Sequence, residues 1–415
     1  MGYLKTAAVG VSWLAVLRFI IRGLTFIRLF FLARLLTPAQ FGTFGVASLI
    51  LALIEVLTET GVNIVLVQEK RENILKYLNT AWVVSIVRGL IIGALVFLSS
   101  WLVAGFFNNH DALQLLWLIA LVPIARGFIN PAIVLYQKDL QFSKEVKFRG
   151  TVVILGTITT LCIAFITRSP SALVAGMLIE AILEVCFSFL WIRERPSLLF
   201  NKVHFSHIFN RGKWITIAGV FEYFFQQIDD IVVGRRLTSS HLGHYQMAYR
   251  LAMLPITEVA DVFNRVTFPV YAKITDDILR LRKAFFRTTG FIGVVSVGFA
   301  LTLMTFPTEI TTLLLGEQWL EIVPLVSVLA ITGAVRGIII ASYSLFLSLK
   351  KQEYVTYSTI VGLVVLGILI WPMTTADGLI GAAWATLWAA LAALPVVIFF
   401  VAKILRVPKV STKLR

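Results

Sequence analysis

Charge is what this sequence has least of. Asp, Glu, Lys and Arg make up 14% of its 415 residues, where a soluble domain carries roughly 25%. Hydrophobic residues reach 58% and the mean hydropathy is +0.88. Soluble cores cannot grow to hide that much apolar surface, which excludes a soluble protein and implies a polytopic membrane protein. Cysteine is nearly absent, and Cys162 and Cys186 lie inside apolar runs, so there is no disulfide framework. No Gly-x-x-x-x-Gly-Lys-Ser/Thr loop occurs, which excludes an ATP motor of that type. His204-x-x-His207 and His241-x-x-His244 have metal-like spacing but no third ligand, so neither metal nor cofactor is expected.

What is there is a succession of apolar runs. A membrane-spanning helix needs about 20 such residues, and twelve segments qualify. They are Val9–Ala33, Thr43–Leu66, Thr80–Ala104, Leu113–Leu135, Gly150–Thr167 and Ala172–Ile192, then Gly212–Gly234, His244–Val270, Phe285–Phe306, Ile322–Leu347, Val355–Met373 and Leu379–Ala402. The first carries Arg18, Arg22 and Arg28 with no small-residue cleavage site after it, so it reads as a span and not a removable signal. The expected fold is an all-α polytopic membrane protein with twelve transmembrane helices in two six-helix bundles. The bundles fall at 1–192 and 212–402, joined by a cytoplasmic linker at 193–211 and followed by a basic cytoplasmic tail at 403–415.

The net charge of +15 does not form a nucleic-acid face, because the basic residues punctuate the apolar runs. With the N-terminus placed inside, and Lys213 and Arg287 at the span ends counted with the inner segments they adjoin, inner segments hold 25 Lys and Arg and outer loops hold 4: Arg34, Arg168, Arg235 and Arg236. Every lysine falls inside. By the positive-inside rule both termini should be cytoplasmic. The longest outer loop runs only from Pro307 to Glu321, too short for an exoplasmic catalytic domain, so the chain is not expected to be an enzyme.

An internal repeat sits at an offset of 201. Residues 34–47 and 235–248 share Arg34/Arg235, Leu36/Leu237, Thr37/Thr238, Gly42/Gly243 and Ala47/Ala248. Arg126-Gly127 and Arg336-Gly337 echo each other at an offset of 210. Each match pairs span n with span n+6, so the copies keep one orientation. That pattern implies a parallel repeat with the transport path where the halves meet.

Leaving aside Lys213 and Arg287, which sit at the inner ends of their spans, eight basic residues lie inside spans: Arg18, Arg22, Arg28, Arg88, Arg126, Arg250, Arg265 and Arg336. At about 2.5–3.5 kcal/mol each, they would total roughly 20–28 kcal/mol uncompensated, more than the ~5–15 kcal/mol stability of a typical fold. They must pair with acids or face water. All are arginine, the planar cation that grips phosphate with two parallel hydrogen bonds. This chemistry makes Arg18, Arg22, Arg250, Arg126 and Arg336 candidates for a diphosphate. On one continuous helix, Arg250, Glu258, Asp261 and Arg265 would share a stripe.

Nine acidic residues lie in the spans. Glu55 with Glu59, Glu180 with Glu184, and Glu222 with Asp229 and Asp230 each mark one helical face. They read either as counter-ions to the arginines or as an H+ or Na+ relay. Glu55, Glu59, Asp229 and Asp230 are the candidates for ion coupling.

Leu35-Leu36-Thr37-Pro38-Ala39-Gln40-Phe41-Gly42 followed by Gly61-Val62-Asn63-Ile64-Val65-Leu66-Val67-Gln68 resembles the opening of bacterial polysaccharide exporters. Asp230-Ile231-Val232-Val233-Gly234-Arg235, Leu242-Gly243-His244-Tyr245, Ala248-Tyr249-Arg250 and Phe268-Pro269 extend the likeness. Over most of its length the chain resembles Wzx-type flippases of the MOP superfamily, in the colanic-acid and teichuronic-acid exporter branch. The resemblance implies a MATE-like pair of bundles around a V-shaped cavity. It also implies an undecaprenyl-diphosphate-linked oligosaccharide as cargo and alternating access, with Arg18, Arg22 and Arg250 at the positions of cavity arginines. Spans 13 and 14 of the peptidoglycan-precursor branch have no counterpart here, which argues against lipid II as the main cargo.

The resulting expectation is a flippase of the bacterial inner membrane serving lipopolysaccharide or exopolysaccharide biosynthesis. Its partners would be the polyprenyl-diphosphate-linked glycan, membrane lipids, H+ or Na+, and the polysaccharide polymerase machinery, with no nucleic acid. A cation-coupled multidrug-type exporter would call for carboxylates more than arginines. A membrane glycosyltransferase or polymerase would call for a larger outer loop or a nucleotide-sugar motif. The topology is directly testable. In a background lacking Cys162 and Cys186, cysteines at Asn109, Ser239 and Gln318 should react with an impermeant thiol reagent on intact cells, and cysteines at Ser143, Lys202 and Lys351 should not. Labelling of the second set would overturn the orientation.

Overall fold

The computed structural model describes residues 21–60, 62, 66, 71–139 and 141–406, apart from the side chains of 71–76, 137, 207–215, 217, 218, 254, 258, 261, 265 and 266. Every regular element among the described residues is helical. Among the described residues, seven helices are long and apolar enough to cross a membrane. The apolar stretch Tyr77–Phe106 has 30 residues, about 45 Å at 1.5 Å per residue, against a hydrocarbon core of about 30 Å. Such helices turn large apolar side chains outward: Leu102 is 78% exposed, Ile166 81% and Val294 74%. In water these patches would drive aggregation; in a bilayer they face hydrocarbon. The chain is a multi-pass membrane protein.

Two compact units emerge. One comprises Met1–Gln227 with Thr238–Gly243, the other Ile228–Leu237 with His244–Arg415. The first unit contains α1 (residues 21–35), α2 (Pro38–Leu57), α3 (Arg71–Phe106), α4 (Ala112–Ile119), α5 (Leu121–Gly127), α6 (Val134–Lys138), α7 (Phe142–Thr167) and α8 (Ser171–Trp191). Helix α9 (Lys202–Arg236) begins inside the stretch read as a linker and passes from the first unit into the second. The second unit continues with α10 (Ser239–Ala252), α11 (Leu254–Ala272), α12 (Ile278–Thr305), α13 (Pro307–Leu314) and α14 (Val323–Ser348). The last helical stretch, Gln352–Leu405, is two arms folded at Gly378, where φ is 62° and ψ −134°. We term the arms α15 (352–377) and α16 (379–405). Helix α14 packs against α11, α12 and the α15–α16 hairpin and is the core of this unit.

Three expected spans differ from the helices observed. Thr43–Leu66 was read as one span, but α2 ends at Leu57, where the Thr58 hydroxyl donates to the Ile54 carbonyl over 2.7 Å. Glu59 therefore lies past the helix end, and it does not share a helical face with Glu55. Leu113–Leu135 is broken into α4, α5, a short 3-10 turn at Pro131–Ile133, and α6. Pro123 and Pro131 supply no backbone N–H, and Asn130, held extended ahead of Pro131 (ψ 113°), cannot continue the helix. In His244–Val270 the helix is interrupted at Met253, and Pro255 sits in the first turn of α11. The stripe from Arg250 to Arg265 therefore crosses a break, and the side chains of Glu258, Asp261 and Arg265 lie outside the described residues.

The two segments that match at an offset of 201 both open a helix at a threonine. Thr37 caps α2 in a reciprocal pair with Gln40: Thr37 N donates to Gln40 Oε1 (2.9 Å) and Gln40 N to Thr37 Oγ1 (3.4 Å). At the matching positions, His241 N donates to Thr238 Oγ1 (3.4 Å) at the start of α10. These two helix starts cross at their shared glycine. A Cβ on Gly42 would collide with the Ser239 carbonyl and lie 3.0 Å from Gly243 N, while one on Gly243 would collide with the Pro38 carbonyl and lie 2.9 Å from Gly42 N. Ser239 is the repeat equivalent of Pro38, so the contact is reciprocal.

This crossing predicts a substitution cost that sequence propensity alone would get backwards. Alanine favours a helix over glycine by about 1 kcal/mol, yet Gly42→Ala forces two backbones apart and should cost on the order of 1–3 kcal/mol. Gly298→Ala, with nothing within 4 Å of its Cβ, should be neutral or slightly stabilising. Thermal unfolding of the purified proteins tests the pair; a Gly42→Ala protein as stable as the parent would refute the crossing.

Candidate functional site

Two polar clusters lie within the apolar helices, one in each unit. The first lines a cavity of about 690 Å³ in the N-terminal unit, with Glu55, Glu59, Arg88, Arg126, Arg149 and Glu184 on its wall. Glycine creates it. A Cβ on Gly89 would collide with the Pro123 carbonyl, and one on Gly127 would sit 2.9 Å from the Ser85 carbonyl, so α3 and α5 touch along their backbones. Each glycine follows an arginine, and the close approach sets Arg88 and Arg126 on neighbouring helices beside the same carboxylates.

Arg88 Nη2 donates to Glu59 Oε2 (2.9 Å) and to the Glu55 carbonyl (2.8 Å). It thereby ties α3 to the frayed end of α2. Arg126 Nη1 stands 3.7 Å from Glu55 Oε1 and Arg28 Nη1 3.7 Å from Glu180 Oε2. Arg149 Nε donates to Glu145 Oε1 (3.0 Å). The cavity wall thus carries three arginines and three glutamates, a balanced set with no net attraction for a dianion. Thr216 anchors α9 here by donating to the Glu59 carbonyl.

The second cluster belongs to the C-terminal unit. Asp229 is buried and accepts from the Tyr245 hydroxyl (3.0 Å) and from Asp230 N (3.0 Å). Asp230 accepts from Gln246 Nε2 (2.9 Å). Arg336 Nη1 donates to the Tyr249 hydroxyl (2.9 Å), and its charge acts on Asp229, as that of Arg250 acts on Asp230. Spacing explains the arrangement. Tyr245 and Tyr249 are i,i+4 on α10, as are Gln246 and Arg250 one residue on, so two adjacent stripes meet the two adjacent aspartates of α9. Gly337 lets Arg336 approach, since a Cβ there would lie 2.9 Å from Ser296 Oγ and 3.0 Å from Ile256.

Of the expected site residues, Glu55, Glu59 and Arg126 meet in the first cluster, and Asp229, Asp230, Arg250 and Arg336 in the second. Glu222 does not join them: it is exposed and accepts from Gln226 instead. Arg22 lies on α1 with its side chain exposed, and Arg18 falls outside the described residues. Tyr245, Gln246 and Tyr249 were not anticipated. Their signal was available in the i,i+4 spacing that ends on Arg250.

A family model described as polysaccharide biosynthesis protein matches residues 31–324. The lipopolysaccharide biosynthesis protein WzxC of Escherichia coli (strain K12) is 27% identical over 331 residues, covering 79% of this chain and 67% of that protein. The teichuronic acid biosynthesis protein TuaB of Bacillus subtilis (strain 168) is 23% identical over 316 residues, covering 74% of this chain and 64% of that one. The chain thus spans about two thirds of the length of these relatives. Among solved structures, the lipid II flippase MurJ in an inward closed conformation matches with a TM-score of 0.75 at 15% identity, over 95% of this chain and 89% of that one. At that identity the likeness is one of fold.

The Arg88–Glu59 pair makes a specific prediction. Arg88→Gln leaves Glu59 and the Glu55 carbonyl short of a charged donor, which should lower stability by about 1 kcal/mol, a modest figure because both side chains are partly exposed. Adding Glu59→Gln should restore part of the loss. A double-mutant cycle on thermal unfolding in detergent reads the coupling; strictly additive losses would show that the pair holds nothing.

Proposed function

The chain belongs to the polysaccharide biosynthesis protein family, and we propose that it serves there as a flippase of the bacterial inner membrane. It carries undecaprenyl-diphosphate-linked oligosaccharide units outward by alternating access, with both of its termini in the cytoplasm, and delivers them to the polysaccharide polymerase machinery. The observation that carries this reading is the choice of arginine at every basic position in the interior of the spans, away from their ends. A diphosphate is the cargo chemistry for which a planar bidentate cation outperforms lysine.

Arg22 and Arg250 hold the diphosphate, with Arg18 beside Arg22 at i,i+4. Arg126 and Arg336 are engaged with Glu55 and Tyr249 and position the helices. The coupling ion, H+ or Na+, acts at Asp229 and Asp230, whose carboxylates accept from the neutral donors Tyr245 and Gln246. Glu59, held directly by a guanidinium, serves as a counter-ion, and so does Glu55. A multidrug-type exporter would place its need on the carboxylates alone and leave the arginines dispensable.

Arg22→Ala and Arg250→Ala should each abolish surface polysaccharide in cells that depend on this protein, with normal amounts of it in the membrane. Arg→Lys at either position keeps the charge but loses the fork. It should impair export substantially, since hydrogen bonds to charged groups contribute about 1.5–3 kcal/mol each. A merely structural Arg250 would instead lose folded protein, with recovery when Asp230→Asn is added. Full export by both alanine variants at normal protein levels would end this reading.

A further inference from the structure

The C-terminal unit has a second cavity, which the transport reading does not use. It encloses about 580 Å³ and is lined by α12, α14 and α16. Helical spacing lays down its walls: Arg282, Phe286 and Thr289 on α12, Ile338 and Ser342 on α14, and Leu394, Val397, Val401 and Leu405 on α16. The start of α12 and the end of α16 meet there, for Leu281, Phe285 and Leu405 belong to one buried cluster. That brings Arg282 and Arg406 to the same end of an otherwise apolar slot.

Both arginines are exposed, and neither is paired with a carboxylate among the described residues. Arg282 lies over the Phe286 ring, 5.9 Å from its centroid, and both residues line the slot. Seven residues further along α12, roughly 10 Å deeper, the buried Thr289 hydroxyl also lacks a hydrogen-bond partner. Phe286, 54% exposed, and Ile398, 57% exposed, flank the opening with surface suited to hydrocarbon. From mouth to floor the order is cation, orphan hydroxyl, hydrocarbon. It complements the phosphate, ester and acyl chain of a phospholipid in turn.

We propose that this groove binds an anionic phospholipid, with its phosphate on Arg282 and Arg406, an ester oxygen at Thr289 and one acyl chain along α14 and α16. A glycan-bearing lipid fits less well, because the slot offers only Thr289 and Ser342 as polar side chains below its mouth. A bilayer phospholipid reaches the groove laterally, without desolvating sugar. Basic pockets between transmembrane helices are general sites for acidic headgroups.

The test uses the purified full chain in detergent, titrated with phosphatidylglycerol or with phosphatidylcholine of the same acyl composition. Bound lipid is counted by native mass spectrometry and unfolding temperature is followed in parallel. The parent should retain phosphatidylglycerol selectively and be stabilised by it. Arg282→Gln with Arg406→Gln should lower its affinity about 10- to 30-fold, as expected for two basic contacts of about 1 kcal/mol each. Arg287→Gln with Lys403→Gln, which removes exposed cations outside the groove, should leave the preference intact. Ile338→Trp, which fills the slot while keeping both arginines, should reduce retention as well. Equal binding of the two phospholipids by the parent would overturn the site. So would an unchanged preference in the Arg282/Arg406 variant, or its loss in the Arg287/Lys403 control. Displacement of phosphatidylglycerol by equimolar undecaprenyl phosphate would reassign the groove to cargo chemistry and equally overturn it.

Discussion

Removing a guanidinium from water costs enough to organise everything around it, and in this chain the interiors of the spans contain eight of them. The described ones are surrounded by the means of offsetting that cost. Arg88 and Arg126 meet Glu59 and Glu55; Arg28 meets Glu180; Arg336 meets a tyrosine hydroxyl near Asp229. Each pairing joins residues from separate segments of the chain. The electrostatic requirement is thereby also a packing instruction, because a charge that needs a partner across a helix boundary fixes the distance and rotation of both helices. Hydrocarbon alone would not do so, since lipid tails are as apolar as the side chains they replace.

Glycine makes these meetings possible. In Arg88-Gly89, Arg126-Gly127 and Arg336-Gly337 the residue beside the cation has no side chain, and a Cβ there would strike a backbone carbonyl or a packed side chain. In the first cluster the voids at Gly89 and Gly127 bring α3 and α5 together, which sets Arg88 and Arg126 beside the same carboxylates. The two polar clusters are built differently on this common plan. The first is a balanced set of full charges around a cavity. In the second, two adjacent carboxylates are held partly by neutral donors.

The membrane character, most helix positions and the repeat were legible in the sequence because each is a bulk property. Apolar runs of about 20 residues survive any local detail, and five identities at one offset need no geometry to be seen. What was not legible depended on single backbone groups. The end of α2 at Leu57 turns on the Thr58 hydroxyl; the fragmentation near Pro123 and Pro131 turns on missing N–H donors inside a run that hydropathy reads as continuous. Within the candidate site, the acids and arginines stood out because charge is rare here. Tyr245, Gln246 and Tyr249 did not, because aromatic and amide residues are unremarkable in such a composition until the aspartates they serve have been placed beside them.

The reciprocal contact of Gly42 and Gly243 carries a consequence for how such a chain changes over time. Two similar segments of one chain are free to drift apart wherever each packs against unrelated neighbours. Here the backbone of one copy is the wall that the other rests on, so any enlargement in either is resisted from both sides at once. Drift at this spot is a joint event, open only to paired changes. That is a physical reason for residues 34–47 and 235–248 to stay alike: where the two segments touch, a change in one has to be answered in the other.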